Sequence, residues 1–317
     1  MKKFTAWLLC VCLLLALTGC GDKKKTDAPG KLKIVCSIFP QYDFTRRIAG
    51  EHAQVTQLLP PGMDSHEYEP SAKEILRLND ADLFIYTDDK LEGWVKNLKD
   101  GVKDVKLVRC ADGIDLEALN EQWEQVENHE EAETHGGHDH EHGYDAHIWL
   151  DPTLAIVMCE NIRDALIAED PAHGEEYTAS CALLTAELSA LDADFTALFS
   201  DYDGAELFFG GKFAYSHFIR HYGLRYLSAY SGCSDEGEPG ARIIVEMTEH
   251  MKKEGVKVIF TDEMSSGEVA RAIADATGSQ VLLFHSCHNL SAEEAGKTYL
   301  DLMRMNYDNV RRALEAQ

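Results

Sequence analysis

After Leu17 the chain has no apolar run long enough to cross a bilayer as a helix, which takes about 20 residues. Its cysteines form no CxxC pair and no zinc-ribbon spacing, which excludes the common structural zinc modules. Positive charge is scarce: 30 Lys and Arg stand against 55 Asp and Glu, a net charge of −25. Such a surface repels phosphate backbones and anionic headgroups, so nucleic acid is not an expected partner. HExxH, a nucleophile elbow and a paired acid–base arrangement are also absent. The chain is therefore expected not to be an enzyme, although three histidines and an open position would also describe a catalytic zinc.

What is present begins at the N-terminus. Lys2 and Lys3 precede the apolar stretch Phe4 to Leu17, which ends in Leu17-Thr18-Gly19-Cys20. The stretch has the length of a signal-peptide core, and residues 1–19 read as a signal peptide. Small residues before a cysteine resemble the lipobox of bacterial lipoproteins, with Cys20 as the lipidated residue. Residues 20–30 are polar and without apolar period, a flexible tether. The expectation is a protein held at the cell membrane on its extracytoplasmic face by acyl chains such as palmitate, each buried CH₂ contributing about 0.8 kcal/mol. Cys10 and Cys12 would leave with the signal peptide. Cys36, Cys110, Cys159, Cys181, Cys233 and Cys287 would remain, and the sequence does not choose among their pairings. Cys36, Cys159 and Cys181 lie in apolar periodic segments and read as core residues.

The body of the chain alternates strands with helices. Runs at 31–38, 55–59 and 82–86 read as strands, with helices over 42–49 and 71–79; Ser71 and Glu74 have capping-box spacing. The rhythm returns with strands at 207–209, 256–260 and 281–284, helices over 212–222 and 266–277, and a final helix ending near Leu314. Such alternation implies parallel sheets with crossover helices. Tyr177, Cys181, Leu184, Leu188, Leu191, Phe195 and Leu198 recur at helical spacing. The fold expected is α/β: an N-terminal lobe over 31–174, a long rigid linking helix over 175–201, and a C-terminal lobe over 202–317.

Fourteen histidines are present, and five crowd together as His129, His135, His138, His140 and His142, interleaved with Glu and Asp. This segment, 127–143, cannot bury a core and reads as a disordered loop with weak, multiple metal contacts. His66 lies in a turn-rich stretch, Pro60 to Pro70, after a strand, where open α/β sheets place ligands. His147 lies in Asp145-Ala146-His147-Ile148-Trp149-Leu150-Asp151-Pro152, directly after the histidine-rich segment. Neutral imidazole suits borderline ions such as zinc.

These two stretches and the histidine-rich loop, in this order, resemble the zinc-binding subfamily of the metal-specific substrate-binding lipoproteins of ABC transporters, across essentially the whole mature chain. The resemblance implies two α/β lobes joined by a rigid helix, with a transported Zn²⁺ between them. A membrane permease and its ATPase are the implied partners, and the protein itself is expected to be a monomer. His66 and His147 match the family's two N-lobe ligands. Aligned on Tyr222-Gly223-Leu224, Lys212 occupies the usual third position, and an ammonium cannot ligate. The last C-lobe strand runs into His285-Ser286-Cys287-His288, where His285 aligns with the family's fourth ligand. His66, His147 and His285 are the expected set. His288, Cys287, His217 and Glu263 are further candidates, and the loop containing Cys233 reads as a polar turn. A manganese or iron receptor and a metal-dependent surface adhesin are the alternatives.

Overall fold

The computed structural model describes residues 30–66, 68–98, 102, 105–119, 145–230, 232–233 and 239–316. The signal peptide, Cys20 and the five histidines from His129 to His142 lie outside the described residues.

From Leu32 onward the chain forms one compact unit built on two four-stranded sheets. The first contains β1 (Leu32–Cys36), β2 (Ala53–Gln57), β3 (Leu83–Tyr86) and β4 (Lys106–Arg109), in the order β2-β1-β3-β4. The second contains β5 (Glu206–Phe209), β6 (Arg225–Ser228), β7 (Val258–Thr261) and β8 (Gln280–Leu283), in the order β6-β5-β7-β8. Every pairing is parallel, with Ile34 opposite both Val55 and Leu83 in the first sheet and Ile259 opposite Val281 in the second. Parallel sheets are buried on both faces, and inner strand β3 accordingly reads Leu-Phe-Ile-Tyr with all four residues buried. In each sheet the strand order reverses beside the first strand. Doubly wound folds open a ligand crevice there, at the carboxyl ends of the strands.

The helices that lie wholly within the described residues are α1 (Phe39–Ala49), α2 (Ala72–Leu78), α3 (Val95–Leu98), α4 (Pro152–Glu169), α5 (Gly174–Ser200), α6 (Ser216–His221), α7 (Ala241–Glu254), α8 (Glu268–Thr277) and α9 (Tyr299–Glu315). The Ser71–Glu74 capping box forms as its spacing predicts, each residue satisfying the other's backbone N–H. Helix α5 has 27 residues and so runs about 40 Å at 1.5 Å per residue. Its buried stripe is the one read from the sequence: Tyr177, Cys181, Leu184, Leu188, Leu191, Phe195 and Leu198. The stripe packs with α1, α4 and α9 into a core that continues through both sheets. All six cysteines from Cys36 to Cys287 are unpaired, and all but Cys233 are buried.

The expected helix over 212–222 is shorter in the structure. Only α6 is helical, because the backbone N–H of Lys212 donates to Asp262 Oδ2 at 2.8 Å and to Ser265 Oγ at 3.1 Å. That pins the segment to the loop after β7. The close approach requires glycine at 211, where a Cβ would stand 2.9 Å from the Asp262 nitrogen.

Hydrogen bonds stitch the two sheets together near the crevice. Trp149 Nε1 donates to the Ser286 carbonyl at 2.8 Å. Phe39 N donates to the His288 carbonyl at 3.1 Å. Asn289 Nδ2 donates to the carbonyls of Pro60 and Met63. The Tyr299 hydroxyl donates to the Trp149 carbonyl.

Candidate metal centre

Each edge strand of the two sheets is followed, at some distance along the chain, by a residue with a metal-donor side chain. His66 comes after β2, His147 after β4, Cys233 after β6 and His288 after β8. One donor atom from each of these four residues lies within 4.8 Å of all the others.

His66 is placed by a short turn. Gly62 adopts φ +74° and donates its N–H to the Leu290 carbonyl at 3.0 Å, and Asp64 Oδ1 accepts from His66 N at 2.9 Å. His147 is held twice by Asp145, whose Oδ1 lies 2.8 Å from the backbone nitrogen and 2.5 Å from Nδ1. With Nδ1–H donating to the carboxylate, Nε2 carries the lone pair. His66 Nε2 and His147 Nε2 then face one another at 3.2 Å. Bonds of about 2.0–2.1 Å at tetrahedral angles put two zinc-bound nitrogens about 3.3 Å apart. The pair is already at that spacing.

His288 is oriented from behind. Glu263 accepts from the Ser286 nitrogen at 2.8 Å and from its hydroxyl at 2.5 Å. With its proton committed there, Ser286 Oγ accepts from Nδ1 of His288 at 2.8 Å. His288 Nε2 is left as a lone pair, buried and without a hydrogen-bond partner among the described residues. A buried, unpaired polar atom is costly unless something occupies its lone pair. Trp149 closes the wall, its ring centroid 5.2 Å from that of His147 and 5.1 Å from that of His288.

Burial, then the neighbouring His147, holds the His66 pKa down at about 4, with Lys212 adding to the effect and Asp64 and Asp145 opposing it. Burial, then His147 and His66, puts His288 well below the usual imidazole range. Burial would raise Asp145, but the charge and hydrogen bond of His147 outweigh it and hold the carboxyl at about 2. Burial, then the carboxylates of Asp64, Asp262 and Asp145, drives the Cys233 thiol well up. Neutral imidazoles are the form that ligates a metal.

The structure brings together His66, His147 and His288, but not His285. The His285 ring is fully buried and turned away, with Nδ1 accepting from Cys287 N at 2.9 Å and Nε2 lying 3.4 Å from Glu294 Oε2. The reversal occurs at Cys287, whose φ of 58° is the left-handed conformation rare for a residue with a Cβ. Cys287 itself points its Sγ to the His285 carbonyl, 3.7 Å away, within the core. His217 Nε2 bonds to the Asp145 carbonyl at 2.9 Å, supporting the His147 turn from α6. Glu263 lies behind Ser286, and a cavity of about 460 Å³ adjoins it, lined also by Gly62, Asn289, Glu294 and Lys297. None of the four clustered donors lines that cavity. Lys212 stands beside the centre, its Nζ 3.3 Å from Asp64 Oδ2.

The chain thus has two parallel sheets of order 2-1-3-4, one long helix and a cluster of metal-donor side chains after the edge strands. Residues 34–313 match the family described as ZnuA, zinc-uptake complex component A, periplasmic. The chain belongs to that family. It is 34% identical over 310 residues to the zinc-binding lipoprotein AdcA of Streptococcus pneumoniae serotype 4, covering 96% of this chain and 60% of AdcA. It is 31% identical over 321 residues to the high-affinity zinc uptake system protein ZnuA of Bacillus subtilis, covering 99% and 98%. The crystal structure of the Zn(II)-bound ZnuA-like domain of Streptococcus pneumoniae AdcA superimposes with TM-score 0.74 at 29% identity, covering 91% of this chain and all of that domain. The chain thus spans 60% of the length of that AdcA lipoprotein and nearly the whole length of the Bacillus protein.

Proposed function

We propose that this protein is the extracytoplasmic substrate-binding lipoprotein of an ABC transporter, capturing zinc and handing it to a membrane permease driven by its ATPase. The observation that carries the reading is the convergence of three imidazoles, with His288 Nε2 buried and without a hydrogen-bond partner among the described residues. The family and the zinc-binding names of its relatives support the same ion.

The chemistry is capture without turnover. His66, His147 and His288 converge through their ring nitrogens, two of them oriented by carboxylates: Asp145 directly, and Glu263 through Ser286. Partners of this kind fix the imidazole tautomer and strengthen the donor. In this reading residues 1–19 are the signal peptide, Cys20 carries the lipid, residues 31–174 and 202–317 are the lobes on either side of the linking helix, and the segment 127–143 is a weaker accessory site.

The test is competition for zinc against a chromophoric chelator, using the chain from residue 21 onward. Parent protein is expected to strip the chelator of one equivalent tightly. His66→Ala together with His147→Ala should abolish that, and deletion of 129–142 should not. Tight binding retained by the double variant would overturn the assignment.

A further inference from the structure

Lys212 stands where the resemblance implies a third, C-lobe ligand, and it cannot serve as one. The centre nonetheless has four donors, because the loop after β6 brings in Cys233, whose Sγ lies within 4.8 Å of the three imidazole nitrogens. Cys233 is part-buried and in no disulfide. A lone thiol is not a site, but this one faces a second, independent mark of a missing ligand, the unpartnered Nε2 of His288. We infer that Cys233 binds the transported ion as a thiolate, completing a His₃Cys tetrahedron, and that this sulfur makes the site select thiophilic divalent ions, zinc above all, over manganese.

The inference rests on the proposed metal capture and goes beyond it in naming the fourth donor and the selectivity it confers. Thiolate is a soft ligand that favours zinc, whereas manganese prefers carboxylate and water oxygens. A carboxylate in the fourth place would leave both ions acceptable; sulfur does not. Its negative charge also counters the ammonium of Lys212, which lies 3.3 Å from Asp64 Oδ2. Four protein donors leave no position for water, so the centre is closed in the manner of a storage or transfer site and unlike a catalytic one. On binding, the Sγ–H bond breaks, the sulfur–metal bond forms from the same electron pair, and the proton goes to solvent. No oxidant or reductant is involved.

The direct test is X-ray absorption at the zinc edge on parent protein loaded with one equivalent. One sulfur at about 2.3 Å among nitrogens at about 2.0–2.1 Å is the expected shell. A shell of nitrogen and oxygen alone would overturn the inference while leaving metal capture intact; no binding at all would instead overturn the capture reading. Cobalt(II) gives an independent readout. The parent should show a near-ultraviolet sulfur-to-cobalt charge-transfer band that Cys233→Ser lacks, with the tetrahedral visible bands of His66, His147 and His288 retained. Cys233→Ser should weaken zinc by more than the roughly 10–100-fold that losing an outer partner costs, and leave manganese almost unchanged. Cys233→Asp should move the preference toward manganese. Unchanged zinc-to-manganese ratios in both variants would sink the selectivity claim.

Discussion

Asp145 Oδ1 lies 2.5 Å from Nδ1 of His147, and the same oxygen accepts the His147 backbone N–H at 2.8 Å. One carboxylate oxygen thus sets the ring's tautomer and the turn that carries it. Asp145→Asn replaces a full acceptor by an amide that can present either end. Zinc affinity should fall about 10–100-fold with the fold unchanged. Chelator competition and circular dichroism measured together check this; an affinity equal to the parent's would contradict it.

Ser286 plays the corresponding part for His288, relaying Glu263 through its hydroxyl. Nitrogen-15 spectra of the metal-free protein should show His288 in the Nδ1–H form. Ser286→Ala removes the acceptor and should reduce zinc affinity, again by about 10–100-fold. Finding the Nε2–H form in the parent would show that the relay does not set the lone pair.

Proton release distinguishes the donors. His66, with its pKa held at about 4, is neutral at pH 6, and so is His288, which is held well below the usual range. Zinc displaces no proton from either. The Cys233 thiol is pushed upward and is protonated at that pH, so a metal that takes the thiolate must expel its proton. Calorimetry in buffers of different ionisation enthalpy should therefore find that Cys233→Ser releases about one proton fewer per zinc than the parent. Binding by the parent should strengthen with rising pH more steeply than binding by the variant. Equal release would contradict thiolate ligation.

A stability effect resides in Glu92, buried beside β3. Burial raises its carboxyl from 4.5 to about 7, even though Ser37 Oγ and the nitrogens of Thr87 and Asp88 donate to it. Between those values the folded state holds the proton and the unfolded state does not. Stability from this group is therefore fully present below pH 4.5 and is lost as the pH rises through about 7. Urea denaturation at pH 5 and pH 8 should show a smaller loss of stability for Glu92→Gln than for the parent. The same slope in both would place the effect elsewhere.

The sheets, the long helix and two of the clustered residues are legible in the chain because they rest on local signals. Inner strand β3 is a continuous apolar run, the α5 stripe has helical period, and His66 and His147 sit in turn-rich stretches after strands. On the C-lobe side the chain offers His288 only as one candidate among several and ranks His285 ahead of it, for two physical reasons. His285 and His288 stand three residues apart, and only the left-handed backbone at Cys287 decides which of them faces inward. Cys233 stands with Asp235 and Glu236 in a run that reads as a polar turn. Its signal is topological: it follows edge strand β6 as His66 follows β2 and His288 follows β8. Short strand β4 gives no strand signal in the chain, because Lys106 and Arg109 flank a single buried residue, Val108, and its half-buried neighbour Leu107. Helices α4 and α7 went unassigned.

The donors are shared equally between the sheets, His66 and His147 on one side and Cys233 and His288 on the other. Neither half alone can satisfy a tetrahedral ion. If these four residues hold the ion as proposed, a small parting of the halves would break two bonds at once and leave the ion on a two-pronged seat. In the proposed reading, release would not require each donor to be pulled away in turn, because separating the two pairs would loosen all four contacts together.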